Sequence, residues 1–259
     1  MKYIKDTDAA DIPGRPLAEN ERFAFACHQG MECFNQCCRN LNLYLYPYDV
    51  IRLKSRMEIS SGEFIDTYTH AVLREGSHFP HVLLAMAEND EKTCPFLTDE
   101  GCRIYSDRPQ TCRAYPVEQA VYFEEGRPRL LHYFRPPEFC RGPEQDRFWT
   151  VKSWESEQGA GFYNQMAIEW AEIMGLFTRD PWGAEGPSGQ RARMAFMAAY
   201  NVDEFRRFVL ESSFLSRFKI KPDVRMKLGK EDVAVLRLGF AWIKLAVFGI
   251  RTNQLSPKK

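Results

Sequence analysis

The spacing of apolar and polar positions changes along this chain, and the change divides it. Positions 41–46 alternate like a strand, Pro47 is placed to open a helix, and Ser60 with Glu63 reads as the cap of a second helix. A further strand is expected at 82–87, and 117–123 with 129–134 read as a hairpin around Glu124, Glu125, Gly126, Arg127 and Pro128. Past Cys140 the apolar spacing becomes helical. Phe148, Val151 and Glu155 fall on one run that Pro143 is placed to begin, and Phe162, Met166, Ile173 and Met174 mark another apolar face. Positions 183–189 collect turn-formers and read as a loop, while Asn201 and Glu204 form a capping signature for a helix through Glu211. The last element, 233–250, is apolar except for Arg237 and Lys244, which with Lys230 and Arg251 recur every seven residues as a basic stripe. The expected class is α+β: a domain of short strands and helices followed by a helical region.

Composition narrows the setting. With 259 residues, 44% hydrophobic and 14% aromatic, the chain has enough apolar material for a core. Its 35 basic and 35 acidic residues cancel, so no net field favours nucleic acid as a partner. The opening segment 1–13 lacks an apolar run and carries acidic residues, which argues against a secretory or organellar signal and makes the cytoplasm the expected compartment. Charged residues within 233–250 make a transmembrane segment unfavourable. A core or protein-packing helix is the first expectation for 230–251, and weak contact with a membrane surface the second.

The cysteines carry the chemistry. Cys27, Cys33, Cys37 and Cys38 form one group, and Cys94, Cys102, Cys112 and Cys140 a second. In a reducing compartment such a set points to metal or thiol chemistry rather than disulfides. Four thiolates suit either a tetrahedral zinc ion or the corners of an iron–sulfur cluster, so one centre or two are both allowed. No C-x-x-C knuckle is present, which argues against an ordinary zinc finger. The vicinal Cys37 and Cys38 reach one ion only through a tight turn, and serving different metal atoms is the alternative. Cys38, Cys102, Cys112 and Cys140 are each followed by arginine, namely Arg39, Arg103, Arg113 and Arg141, placed to offset thiolate charge from outside the ligand shell. Tyr105 and Arg108 are further candidates to line the site. His28 is the one histidine next to a cysteine, and a lone histidine there is more often structural.

From Cys94 to Pro116 the chain reads CPFLTDEGCRIYSDRPQTCRAYP. With the Cys37-Cys38 pair, this segment resembles the YkgJ-type cysteine-cluster family of zinc- or iron-chelating proteins, whose larger relatives include flagellin lysine methylases. The resemblance implies that all eight cysteines form the metal site, and it covers roughly 23–140. The leading cysteines stand further apart than the family's tighter spacing. Methylase activity is not carried over, because the glycine-rich 183–189 is not preceded by a strand as a nucleotide loop requires.

The organisation expected from these readings is an N-terminal arm over 1–22, a cysteine-rich metal-binding domain over 23–145 and a helical region over 146–259. The expected function is metal binding through a cysteine-ligated zinc or iron–sulfur centre that supports redox or transfer chemistry. The alternative is a non-enzymatic module whose metal is structural and whose helical half binds a partner. No G-x-S-x-G, P-loop, H-E-x-x-H or calcium-loop motif is present, so no catalytic residue is assigned and enzymatic activity is left open.

Overall fold

A computed structural model of the chain describes residues 1–5, 8 and 11–258; positions 6, 7, 9 and 10 of the expected N-terminal arm, and 259, lie outside the described residues. Among the described residues, ten α-helices and thirteen strands in small sheets give a mixed α+β architecture. The chain folds as two compact units, one made of 1–45 and 84–172 and the other of 46–83 and 173–259.

The first unit is built on a four-stranded sheet. Strands Val117–Glu124 and Arg127–Phe134 form the expected hairpin, paired from Arg127 opposite Glu124 to Phe134 opposite Val117. Its turn is tighter than the sequence suggested: Glu125 and Gly126, at φ 51° and 75°, make the two-residue connection whose twist matches the strands. Lys2–Tyr3 adds in parallel on one side and Arg15–Pro16 antiparallel on the other. Phe23–Ala24 pairs with Phe148–Trp149, which corrects the helix expected to run from Pro143. There the chain makes one short 3-10 turn, Gly142–Glu144, then a strand, and Thr150 caps a helix that begins only at Val151. Burial of Trp149 explains the override. Its indole N–H donates to the Phe25 carbonyl at 2.8 Å, and its ring meets Trp154 edge-on at 5.2 Å. Phe23, Phe25, Val117, Trp149, Val151 and Trp154 form the aromatic core beneath the sheet.

The second unit is mainly helical and contains a segment, 46–83, that the cysteine spacing had grouped with the first. Helix Pro47–Met57 starts at the expected proline, and helix Ser61–Tyr68 starts where the Ser60 hydroxyl accepts the Glu63 N–H at 3.1 Å. Helices Gln190–Tyr200 and Val202–Glu211 meet at Asn201, whose side chain accepts the Glu204 N–H at 3.3 Å. The region is not wholly helical, since Phe218–Ile220 pairs with Leu255–Pro257. Helix Asp232–Phe248 supplies much of the core, with Val235, Leu236, Leu238, Phe240, Trp242 and Ile243 all buried. Gly239 lets it approach helix Gln190–Tyr200, where a Cβ would meet the Ala198 carbonyl oxygen at 2.1 Å. The apolar residues that raised the membrane question are thus spent inside the unit, and no helix among the described residues is long and apolar enough to cross a membrane.

Polar contacts tie 46–83 into this unit. Ser61 is fully buried; its hydroxyl lies 2.8 Å from Asn201 Oδ1 and accepts the Asp203 N–H at 3.0 Å, while its own N–H donates to the Asp203 carboxylate at 2.8 Å. Lys54 bridges Asp203 and Asp232 at 3.1 and 2.9 Å. Burial pushes the Asp203 carboxyl up, but the Ser61 N–H and the Lys54 ammonium outweigh it and hold it below the usual range. A carboxyl lowered on folding contributes stability above its unfolded pKa and loses it as pH falls through the carboxylate range. Replacing Ser61 by Ala is expected to cost about 1–3 kcal/mol, because buried groups around it lose their partner. Urea denaturation followed by tryptophan fluorescence checks this, and an unchanged midpoint contradicts it.

Candidate metal centre

All eight cysteines lie in the first unit and all are free thiols. They are delivered by four short pieces of chain. The first runs from Cys27 to Cys38 as consecutive tight turns, with N–H groups of Met31, Phe34, Gln36 and Cys38 each reaching a carbonyl three positions or fewer behind, at 3.0–3.2 Å. Asn35 takes a left-handed conformation at φ 65° just before the 3-10 turn Gln36–Cys38. That turn draws the two neighbouring side chains together, leaving Cys37 Sγ and Cys38 Sγ 4.0 Å apart.

The second piece is a small hairpin, Leu97–Thr98 with Gly101–Cys102, in which Cys102 pairs with Leu97. The Cys94 N–H before it donates to the Cys38 carbonyl at 2.8 Å, and Arg39 forms a bridge with Thr93, so the first two pieces run side by side. The third is the short helix Gln110–Ala114, which carries Cys112. It is fixed by a buried polar chain: Gln110 bonds Gln119 and Asn164, and both of these reach the Glu155 carboxylate, at 2.7 and 2.8 Å. The fourth is the loop after the long hairpin, which brings Cys140 back to the first piece. There Arg141 N–H donates to Cys33 Sγ at 3.3 Å, and Ala26 N–H to the Gly142 carbonyl at 3.2 Å. Gly142 makes this possible, since a Cβ would lie 2.2 Å from the buried Phe25 ring.

Cys27, Cys33, Cys37 and Cys140 line one small cavity together with Met31, Tyr115, Phe139 and the backbone around Ala26 and Gly142. The space between them is about 10 Å³. Burial pushes the Cys27 thiol up to about 11, helped by the nearby Cys37, Cys140 and Cys33. A hydrogen bond with Cys38 raises Cys37 further still, and burial adds to it. Burial also lifts Cys94 to about 11, and raises Cys102 as well. Both of these thiols lie within electrostatic reach of Cys37. The thiol set thus centres on Cys37. Among the described residues, no three or more His, Cys, Asp or Glu side chains stand together as a finished metal site.

The arginines divide by role. Arg103 lies near Cys94 and Cys102, Arg108 near Cys102 and Cys112, and Arg39 near Cys37. Arg141 is exposed, pairs with Glu144 at 2.9 Å and sits near Cys33. Arg113 is different: it is buried, donates to the carbonyls of Ser106 and Gln158 at 2.6 Å each, and stacks on Tyr163 at 4.2 Å. It clamps the segment instead of facing a thiol. Tyr105 is 61% exposed and carries the Arg108 guanidinium over its ring at 3.9 Å, away from the cavity. His28 is exposed and uses Nδ1 to accept the Gly30 N–H at 3.2 Å, a local turn contact. Two residues that sequence reasoning passed over matter here. Tyr115 lines the cavity with its phenol oxygen buried, unsatisfied by ordinary hydrogen-bond geometry and next to Cys140. Gly142 is the other, and its signal, a glycine two residues past Cys140, is legible only once Phe25 is known to face it.

Residues 26–149 match the family model CxxCxxCC, described as a "putative zinc- or iron-chelating domain". Comparison with curated proteins and with solved structures gives no match.

Two outcomes follow from this geometry. A thiol raised on folding contributes stability that is whole below its unfolded value near 9 and is lost as pH rises through its folded value. The metal-free protein is therefore expected to weaken between pH 9 and about 11, and urea midpoints that stay flat over that window would contradict it. Replacing Gly142 by Ala is expected to cost about 1–3 kcal/mol through overpacking against Phe25, and equilibrium dialysis should show weaker metal retention.

Proposed function

We propose, from the premise that residues 26–149 belong to the CxxCxxCC zinc- or iron-chelating family, that the protein binds zinc or iron through Cys27, Cys33, Cys37, Cys38, Cys94, Cys102, Cys112 and Cys140. The observation that carries this is the convergence around Cys37 of thiols from three separate pieces of chain, Cys27 and Cys33 from the first, Cys94 and Cys102 from the second and Cys140 from the fourth. Half-buried thiols with raised pKa values release their protons to solvent readily only when a cation takes the proton's place on sulfur, and a bound divalent ion supplies the charge that stabilises several thiolates side by side. Arg39, Arg103 and Arg108 offset the remaining negative charge from outside the ligand shell. Arg113 acts one step further out, holding the turn that presents Cys112.

The reading favoured between the two uses of such a centre is structural. Redox or transfer chemistry on a substrate needs room beside the metal, and the cavity among Cys27, Cys33, Cys37 and Cys140 holds only about 10 Å³. Few regular elements hold this part of the unit, where the chain between Cys27 and Cys38 contains a single three-residue 3-10 turn. Metal ligation would supply folding free energy there, on the order of 10 kcal/mol for tetrathiolate zinc sites.

Purification under anaerobic conditions, followed by elemental analysis, acid-labile sulfide determination and a visible spectrum, tests the proposal. Stoichiometric zinc or iron is expected, and a chelator should reduce the circular dichroism of the protein and make 26–45 susceptible to protease. A protein that carries no metal, and folds identically with every cysteine replaced, defeats the reading.

A further inference from the structure

The chain is electrically neutral as a whole, but its charges are unevenly spread. Positions 212–259 hold 11 lysines and arginines against 3 acidic residues, which leaves 24 basic against 32 acidic for 1–211. The excess is densest at 217–230, where six of fourteen residues are basic and Asp223 alone is acidic.

The fold of the second unit turns these charges outward together. In strand Phe218–Ile220, Phe218 is half-buried and Ile220 buried, so Lys219 between them points to solvent. Arg217 and Lys221 stand two positions to either side of Lys219 and are exposed with it. Pairing with Leu255–Pro257 fixes this stretch, and the Lys258 N–H donates to the Arg217 carbonyl at 2.8 Å. The Arg225 N–H donates to the Lys221 carbonyl at 3.0 Å, which sets Arg225 one helical turn along, on the short helix Pro222–Lys227. Among the described residues, Arg217, Lys219, Lys221, Arg225 and Lys230 have no acidic partner, and Lys227 has Glu231 at 3.5 Å. Elsewhere in the same unit Lys54 and Arg206 are neutralised by Asp203 and Asp232.

One apolar side chain stands among these cations. Met226, between Arg225 and Lys227, is 77% exposed, more than any other large hydrophobic residue described. Leu228, two positions on, enters the core instead. Free cations around a flexible apolar tip match a surface that is anionic outside and apolar beneath, that of acidic phospholipids. Single-stranded nucleic acid is met with aromatic rings on which bases stack, and 212–258 exposes none, its exposed large hydrophobics being Met226 and Ile250.

We infer that the 217–230 surface of the second unit docks on a membrane of acidic phospholipids, with Arg217, Lys219, Lys221 and Arg225 against the head groups and Met226 entering the layer beneath. The contact is peripheral, since helix Asp232–Phe248 keeps its apolar residues inside the unit. It is independent of metal binding.

Flotation of the full-length protein with vesicles tests this. Vesicles of phosphatidylcholine and phosphatidylglycerol in equal parts should carry the protein, and vesicles of phosphatidylcholine alone should not. Raising salt to about 1 M, where the screening length is about 3 Å, should release it. Lys219→Ala and Lys221→Ala should each lower the partition coefficient about fivefold, and Met226→Ser should lower it while leaving the salt dependence in place. All three side chains are exposed, so unchanged thermal unfolding is expected of each variant, and the lipid and salt series on the unaltered protein needs no variant. No binding to the acidic vesicles, equal binding to both kinds, or binding indifferent to the lysine substitutions or to Met226→Ser would overturn the inference. Retention by single-stranded RNA or by polyglutamate, with none by acidic vesicles, would overturn it in favour of a nucleic-acid or protein partner.

Discussion

Thiols gathered at close quarters are tolerable as neutral groups and intolerable as bare anions, and the first unit is arranged around that constraint. Cys37 Sγ lies 4.0 Å from Cys38 Sγ, within electrostatic reach of Cys94 and Cys102 on a second piece of chain, and shares a cavity with Cys140 from another. Ionising several of them together needs a cation in their midst, because Arg39, Arg103 and Arg108 each neighbour only one or two of the thiols and Arg141 is exposed and paired with Glu144. Protonated, the set is a loosely held group of small apolar side chains. Ligated, it becomes the strongest cross-link in the unit.

The rest of the unit supplies rigidity at the places the thiols need it. Trp149 and Trp154 each use the indole N–H to fix a carbonyl, that of Phe25 two residues before Cys27 and that of Ala114 two residues after Cys112. Glu155, on the same helix as Trp154, receives the polar chain from Gln110. Helix Val151–Glu157 therefore steadies pieces of the site, and Cys140 packs against the aromatic cluster to which its Val151 and Trp154 belong.

Local signals were legible and long-range ones were not. Pro47, Ser60 and Asn201 announced helix starts because caps are satisfied within four residues. The long hairpin was legible from alternation. The strand Phe148–Trp149 was hidden because its partner, Phe23–Ala24, lies more than a hundred residues away, and only pairing and tryptophan burial override the helical spacing. The same holds for 46–83, whose place with the helical unit depends on Ser61 meeting Asn201 and Asp203. At the site, residue types were legible but their company was not. Adjacent arginines suggested uniform charge compensation, yet Arg113 went to carbonyls; and spacing grouped Cys140 with Cys94, Cys102 and Cys112, yet a returning loop seats it in a cavity with Cys27, Cys33 and Cys37.

That returning loop also sets a clock. During synthesis Cys27, Cys33 and Cys37 leave the ribosome early, but the fourth wall of their cavity arrives only with Cys140 and Gly142, after 46–83 and the entire long hairpin have been made. At a typical elongation rate of about 5–20 residues per second, the nascent chain carries unclosed thiols for several seconds. Over that interval the early cysteines are open to oxidation and to capture by whichever soft metal ion reaches them first. Faithful loading then depends on the reducing and metal-buffering character of the surroundings as much as on the finished geometry.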